Sequence, residues 1–351
     1  MSAPNKGDDY MKKLLFLLLA AVMFSAAAAM QKKSRKKAEK KLPAGLEVRE
    51  YPCSYDNSMQ KAVVGFAKGD QPRPLVVALH TWSYGYQGGA PYAAPAVRKN
   101  FHVIAPDFRG RNNARNPLSM GSDAAVSDIL DAVKWMKTMA KVDEDRIYII
   151  GGSGGGHMAL LMAGRHPEIW AAVSVWCPIS DIKKWCEHHK GSGYGKHIID
   201  NLKGDPRTDK NAEKEAVKRS PVTFLANAVN IPIDIGTGIH DGHTGAVPID
   251  HALNAYNILA PEEDKVPQEH IDFMLKNEKA PAGTPKITDP GYGKRVIHYR
   301  KTSKFCRVTI FEGGHNILTA YSYDWISLQK KGSPAVWKSK KGSGKAEVLT
   351  K

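Results

Sequence analysis

Residues 146–165 read RIYIIGGSGGGHMALLMAGR, and the fold is decided there. Residues 146–150 form a short β-branched run of buried-strand type, while Met158, Leu161 and Met162 recur at helical spacing after His157. Between the two runs stands Gly151-Gly152-Ser153-Gly154-Gly155. A serine on a sharp strand-to-helix turn needs small neighbours, because its backbone is strained and the following chain passes close by. Such a turn presents the Ser153 hydroxyl above a helix N-terminus, where it is available as a nucleophile. A glycine-rich turn that cradles phosphate is the competing reading. The strand before the turn and the helix after it favour the nucleophile.

Outward from this stretch the chain alternates short strands with helices. Candidate strands lie at 46–51, 61–67, 75–79, 102–105, 146–150, 171–176, 231–235 and 307–311. The later runs lack a polar face, which predicts a mostly parallel, eight-stranded α/β sheet covered by helices on both sides. The first two strands, closer together, predict an antiparallel start. Ser122 is placed to cap a helix through Val126, Ile129, Val133 and Met136, and Pro248 precedes a second helix over 249–260. Residues 180–229, with Trp185, Tyr194 and Phe224, exceed an ordinary loop and predict a small cap over Ser153. Residues 261–304 are charged and proline-punctuated and carry no assignment. There are no internal repeats.

The 351 residues carry a formal charge of +16, concentrated at the ends: residues 1–41 hold +7 and residues 331–351 hold +5. Charge confined to tails argues against nucleic-acid binding as the main function, although anionic surface material is a conceivable partner for the lysines. Met11-Lys12-Lys13, the apolar run 14–23 and the small residues 25–29 have the three parts of a secretory signal, with Met11 as the natural start. The run is short for a membrane span. The expected organisation is a signal peptide at 1–29, a basic linker at 30–44, a single domain at 45–330 and a basic, disordered tail at 331–351. Export makes the mature protein secreted or periplasmic. Cys53, Cys177, Cys186 and Cys306 match no zinc spacing and are either disulfide partners, with Cys177 and Cys186 nearest in sequence, or small buried hydrophobes.

A serine hydroxyl needs a base within hydrogen-bond reach and an acid that orients the base. On a parallel sheet these belong at strand C-terminal ends. Asp241 follows the strand 231–235 through Gly236-Thr237-Gly238, and His315 follows 307–311 through Glu312-Gly313-Gly314. The order Ser153, Asp241, His315 is the one expected for such a triad. Asp250 and Asp181 are the rival acids; Asp234 lies inside its strand and is expected to pair in the core. His240 and His243 flank Asp241, but their local ligand set is thin for a metal, and a solvated loop is the simpler account. His157 is expected to cap or pack. The backbone N–H of Gly154 is one expected oxyanion donor, and Trp82 or Thr81, in the turn His80-Thr81-Trp82-Ser83-Tyr84, supplies the second. Tyr84 and Trp185 are the candidate substrate contacts. The chemistry needs neither cofactor nor metal.

With these motifs in place the chain, from about 46 to 329, resembles the α/β-hydrolase superfamily and, within it, the catalytic domain of the prolyl oligopeptidase family. The resemblance rests on Leu79-His80, on Pro106-Asp107-Phe108-Arg109-Gly110, on Val142-Asp143 through Arg146, on the glycines around Ser153, on the stretch 236–248 and on Gly313-Gly314-His315. It implies Ser153 as nucleophile, Asp241 as acid and His315 as base. Thr81 stands where the family usually has glycine, and the loop from Asp241 to Pro248 is longer than usual. Fewer than fifty residues precede the first strand, whereas the family's peptidases carry a propeller there. By that analogy the expectation is an exported, freestanding serine carboxylesterase acting on ester-linked groups, acylated carbohydrate among them. An oligopeptidase or aminopeptidase using the same machinery is the alternative, with Asp181 or Glu187 holding the substrate amine. A binding protein on a hydrolase scaffold, held to polyanions by its lysine-rich ends, is the third reading.

Overall fold

Runs without a polar face become the central strands because only a sheet covered on both sides leaves none of their residues in water. The computed structural model describes residues 41–337 apart from Val229, so the signal and most of the linker fall outside the described residues. The sheet begins with β1 (Glu47–Pro52) antiparallel to β2 (Met59–Gly65). There follow β3 (Arg73–Leu79), β4 (His102–Pro106), β5 (Val142–Gly152), β6 (Ala172–Trp176) and β7 (Ile233–Gly238). The last pair is β8 (Ile297–Thr302) and β9 (Cys306–Phe311). Strand order is β1-β2-β4-β3-β5-β6-β7-β9-β8, parallel from β4 through β9 and antiparallel at both ends.

The sheet thus has nine strands where the sequence predicts eight. The addition is β8, IHYRKT, drawn from the unassigned segment 261–304. Its Ile297 and Tyr299 are buried while the residues between and after them are half-buried, the period of a strand with one wet face. Flanking charge and proline hide that short alternation. β8 pairs along one side of β9 and so covers an edge that would otherwise offer unpaired backbone.

Alternate residues along the strands go to two different layers. Val173, Val175, Ile233, Ile235, Val308 and Ile310 share one apolar cluster with α2 (Asp123–Met139), α3 (Gly154–Arg165) and α7 (Asp250–Leu259). Their neighbours in sequence meet α9 (Thr319–Ile326) instead. Ser174 Oγ and Trp176 Nε1 both bond Ser322 Oγ, at 2.9 and 2.7 Å, and Tyr323 of α9 reaches Tyr92 O in α1 (Ala90–Arg98) at 2.8 Å. The expected caps hold: Ser122 Oγ accepts from Ala125 N at 3.2 Å, and α7 starts two residues after Pro248.

The insertion after β6 folds as α4 (Ile182–His188), α5 (Gly193–Leu202) and α6 (Lys210–Lys218). Ile182, Trp185, Cys186, Ile198, Leu202, Ala212 and Ala216 form a second apolar cluster that also takes in Trp82 and Val247. The cap is narrower than 180–229, because Phe224 already packs back against Gly164 of α3. α8 (Gln268–Asn277) belongs to the later segment. The four cysteines are buried and unpaired, so the small-hydrophobe reading holds and the Cys177–Cys186 bridge does not form. Among the described residues no helix is long and apolar enough to cross a membrane.

Packed chain continues past residue 330, where the tail was expected to begin. Trp337 stacks on Trp325 at 5.5 Å, and its carbonyl accepts from Arg307 Nη1 at 2.8 Å. Arg307 also donates to Asp234 Oδ1 at 2.8 Å and to Tyr321 Oη at 2.6 Å, with both charged side chains almost wholly buried. Asp234 therefore pairs inside the core, as its place in the strand predicts. Removing one partner strands the other charge in an apolar setting. Arg307→Leu is expected to destabilise the fold by about 3–5 kcal/mol, read as a lower denaturant midpoint; a loss below about 1 kcal/mol would mean that the pair is effectively solvated.

Candidate active site

Ser153 sits at φ 56° and ψ −122°, in a region a non-glycine residue enters only under constraint. The constraint comes from both sides. Its N–H donates to Trp176 O at 2.8 Å at the end of β6, while its C=O accepts from His157 N at 2.9 Å and starts α3. The turn is tight enough that a Cβ on Gly154 would stand 2.7 Å from both Cα and N of Trp82. Glycine at 154 thereby brings two backbone nitrogens, Gly154 N and Trp82 N, to one place beside the serine. Neither donates to another group among the described residues. The twelve residues of α3 add a helix dipole that favours negative charge at that spot.

Asp241 leaves β7 through a turn and is 1% exposed. Its Oδ1 accepts from Gly242 N and Val247 N, both at 3.1 Å. Its Oδ2 accepts from Thr237 Oγ1 at 3.4 Å and from His315 Nδ1 at 2.8 Å. A carboxylate only accepts, so the imidazole hydrogen lies on Nδ1 and leaves the Nε2 lone pair free to act as a base. Ser153 Oγ makes no hydrogen bond to His315 among the described residues, which leaves the Asp–His half closed and the Ser–His half open. Contacts of this kind often tighten only with substrate bound. The serine and histidine segments do touch: a Cβ on Gly152 would run into the Ile317 side chain, and Cys177 Sγ, one residue beyond β6, lies 3.5 Å from Asn316 O.

The rival acids are engaged elsewhere. Asp181 Oδ1 caps α4 through Lys184 N at 3.0 Å, and Asp250 pairs with Lys184 Nζ. His240 lies between Glu278 and Glu312, at 2.6 and 2.9 Å, and these partners raise its pKa. His243 Nε2 donates to Leu275 O at 2.7 Å. His157 packs, as expected, with Nε2 donating to Arg219 O at 2.7 Å.

Of the two candidate substrate contacts, Tyr84 remains available at 59% exposure in the turn after β3, while Trp185 does not. Trp185 is wholly buried, meets Trp82 edge-to-face at 4.7 Å and donates Nε1 to Ala246 O at 2.8 Å. It is a strut between the insertion, the turn that holds Trp82 and the loop after Asp241. Two residues to which the sequence assigns no role of their own also brace the site. Asp107 Oδ1 holds Tyr86 N at 2.6 Å, and Gly245 lies where any side chain would overlap Asp241 Oδ1 and come within 2.9 Å of His315 Cβ. The sequence signal for Asp107 was its motif; Gly245 carried none.

A parallel sheet with a strained serine after β5, a buried acid after β7 and a histidine after β9 defines a serine hydrolase of the α/β type. A model of the prolyl oligopeptidase family matches residues 93–277, about half of the chain, and the protein belongs to that family. Dipeptidyl aminopeptidase BIII of Pseudoxanthomonas mexicana is 27% identical over 201 residues, covering 54% of this chain and 28% of that protein. Acetylxylan esterase A of Aspergillus awamori is 28% identical over 114 residues, covering 30% of this chain and 38% of that protein. The chain thus spans well under half of these relatives. A crystal structure of puromycin hydrolase has the same fold, with a TM-score of 0.57 at 14% identity over 81% of this chain and 38% of that one.

Gly245→Ala is expected to push the Asp241–His315 pair out of line and lower kcat/KM about 100-fold with the overall fold retained, as judged by circular dichroism and hydrolysis rates; unchanged rates would mean that the loop relaxes freely.

Burial pushes His157 and His251 down to about 4. Both are held neutral, His157 donating from Nε2 and His251 Nδ1 accepting from Ser180 N at 3.2 Å. Because the folded value lies below the ordinary 6.5, their contribution is complete above pH 6.5 and is lost as pH falls toward 4. Stability should decline over that window by on the order of 3 kcal/mol per histidine. Denaturant midpoints that stay flat between those limits would refute it.

Proposed function

We propose that the protein is an exported carboxylesterase that removes ester-linked acyl groups, acylated carbohydrate among its substrates, through an acyl-enzyme on Ser153. The observation that carries the reading is the 2.8 Å bond from His315 to a fourfold-held Asp241, across the rim from two free backbone N–H groups at Gly154 and Trp82. In the first step Ser153 Oγ attacks the ester carbonyl and His315 Nε2 takes its proton. Asp241 then stabilises the imidazolium, while the N–H groups of Gly154 and Trp82 receive the oxyanion. Collapse expels the alcohol with the proton from His315. Water, deprotonated by the same nitrogen, then releases the acid.

Two considerations favour an ester over a peptide amine terminus. An aminopeptidase needs a carboxylate to hold the substrate ammonium, yet Asp181 is spent as a helix cap and Glu187 faces Arg207, 3.9 Å away, with 62% of its side chain exposed. An acetylxylan esterase also stands among the relatives, which supports a carbohydrate-borne acyl group. Export is supported by the charged, apolar and small-residue order of 11–29.

Purified protein should hydrolyse aryl acetates and acetylated xylo-oligosaccharides faster than dipeptide anilides. Ser153→Ala should lower the ester rate by on the order of 10⁴–10⁶, and a fluorophosphonate should label the wild type alone. Faster turnover of the anilides would favour the peptidase, and equal ester rates in wild type and Ser153→Ala would remove the mechanism. Expression of the full chain followed by cell fractionation tests the export.

A further inference from the structure

Beside the acid and the base lies a third group with no part in the acyl-transfer steps. Cys177, one residue beyond β6, is held at φ 48° with its thiol close to Asp241 and His315. One ligating atom each from Cys177, Asp241 and His315 lies within 4.8 Å of the other two. Cys177 and Asp241 are fully buried, and His315 keeps 26% of its side chain exposed, which supplies an entry path. Thiolate, imidazole and carboxylate together suit Zn²⁺ or Co²⁺ rather than Mg²⁺ or Ca²⁺. In tetrahedral coordination such ligands stand roughly 3–4 Å apart, so the thiol has to approach by only about an ångström while the 2.8 Å His315–Asp241 pair opens slightly.

We propose that Cys177 Sγ, Asp241 Oδ2 and His315 Nδ1 form an inhibitory site for a thiophilic divalent cation, with Zn²⁺ as the best fit and water as fourth ligand. The metal forms bonds to sulfur, oxygen and nitrogen. The thiol proton is released to solvent, while the imidazole hydrogen moves from Nδ1 to Nε2. Burial holds the free thiol well above its ordinary pKa, but a coordinating cation removes that proton outright. With hydrogen on Nε2 the imidazole has no lone pair for the Ser153 proton. Hydrolysis stops without any change at the serine. Binding stands on the three ligands alone, whereas the inhibition rests on the triad proposed above.

The test uses Co²⁺ as a spectroscopic probe and Zn²⁺ as inhibitor. Co²⁺ added to Ser153→Ala protein should give a thiolate-to-cobalt charge-transfer band that persists with Cys53→Ala and vanishes with Cys177→Ser. In the hydrolysis assay Zn²⁺ should inhibit the wild type reversibly, chelator restoring the rate, and Cys177→Ser should keep its activity while needing on the order of 100-fold more Zn²⁺. Cys177→Ala, its fold checked by circular dichroism, serves as the second variant. A missing band, or wild-type Zn²⁺ sensitivity retained in both Cys177 variants, would overturn the site. So would sensitivity that disappears with His240→Ala, which would assign the metal to the Glu278–His240–Glu312 surface cluster. A Cys177-dependent band in a protein that hydrolyses no ester would uphold the metal site and fail the esterase reading.

Discussion

The Asp241 carboxylate is the constraint around which the rim of the sheet is built. Buried charge is costly unless every lone pair finds a donor, and here four donors come from four different residues. Thr237 is still in β7, Gly242 and Val247 bracket the loop, and His315 arrives from β9. Satisfying one oxygen therefore fixes the curl of the 241–247 loop, and satisfying the other fixes the imidazole. The approach is close enough that β7 and β9 can leave the sheet together only because Gly238 has no side chain to strike the carbonyls of Gly313 and Gly314. Two strand exits, a loop and an imidazole are thus set by a single pair of oxygens.

Much of this was readable because the governing residues are of types with few alternatives. A serine at φ 56° is bearable only between small neighbours, so the glycines on both sides of Ser153 announce the turn in the sequence itself. The parallel core was equally plain, since residues such as 75–79 have no polar face to offer water. Asp234 announced its pairing by standing inside an apolar strand, although nothing local named Arg307, which lies 73 positions away, as the partner. Long-range partners are what a single sequence conceals. β8 was hidden for a different reason: its period-two signal lasts barely three repeats within a charged segment, too short to rise above its surroundings.

Trp185 marks where residue type misleads. A tryptophan in an insertion over a candidate site reads as a substrate wall, because aromatic surfaces line many pockets. Its indole instead is buried against Trp82, and its one polar atom is satisfied by Ala246 O. Tyr84, by contrast, keeps its ring in solvent. The difference depends on whether the cap helices close over the ring, a property of packing with no counterpart in local pattern. Gly245 was silent in sequence for the same reason, since what excludes a side chain there is the Asp241 carboxylate, turned back over its own loop, and His315, far along the chain.

The strut has a mechanical corollary. The cap cluster contains Trp82, whose backbone faces the serine turn, and Val247, whose N–H holds Asp241. Trp185 touches the first and, through Ala246, the residue before the second. A shift of α4 relative to the sheet would therefore reach the Trp82 backbone beside the serine turn and the carboxylate that holds His315 at once. Well-packed interiors transmit such displacements rather than absorb them. In this family member the insertion after β6, the turn that holds Trp82 and the loop that holds Asp241 share one core, so none of the three is adjustable independently of the others.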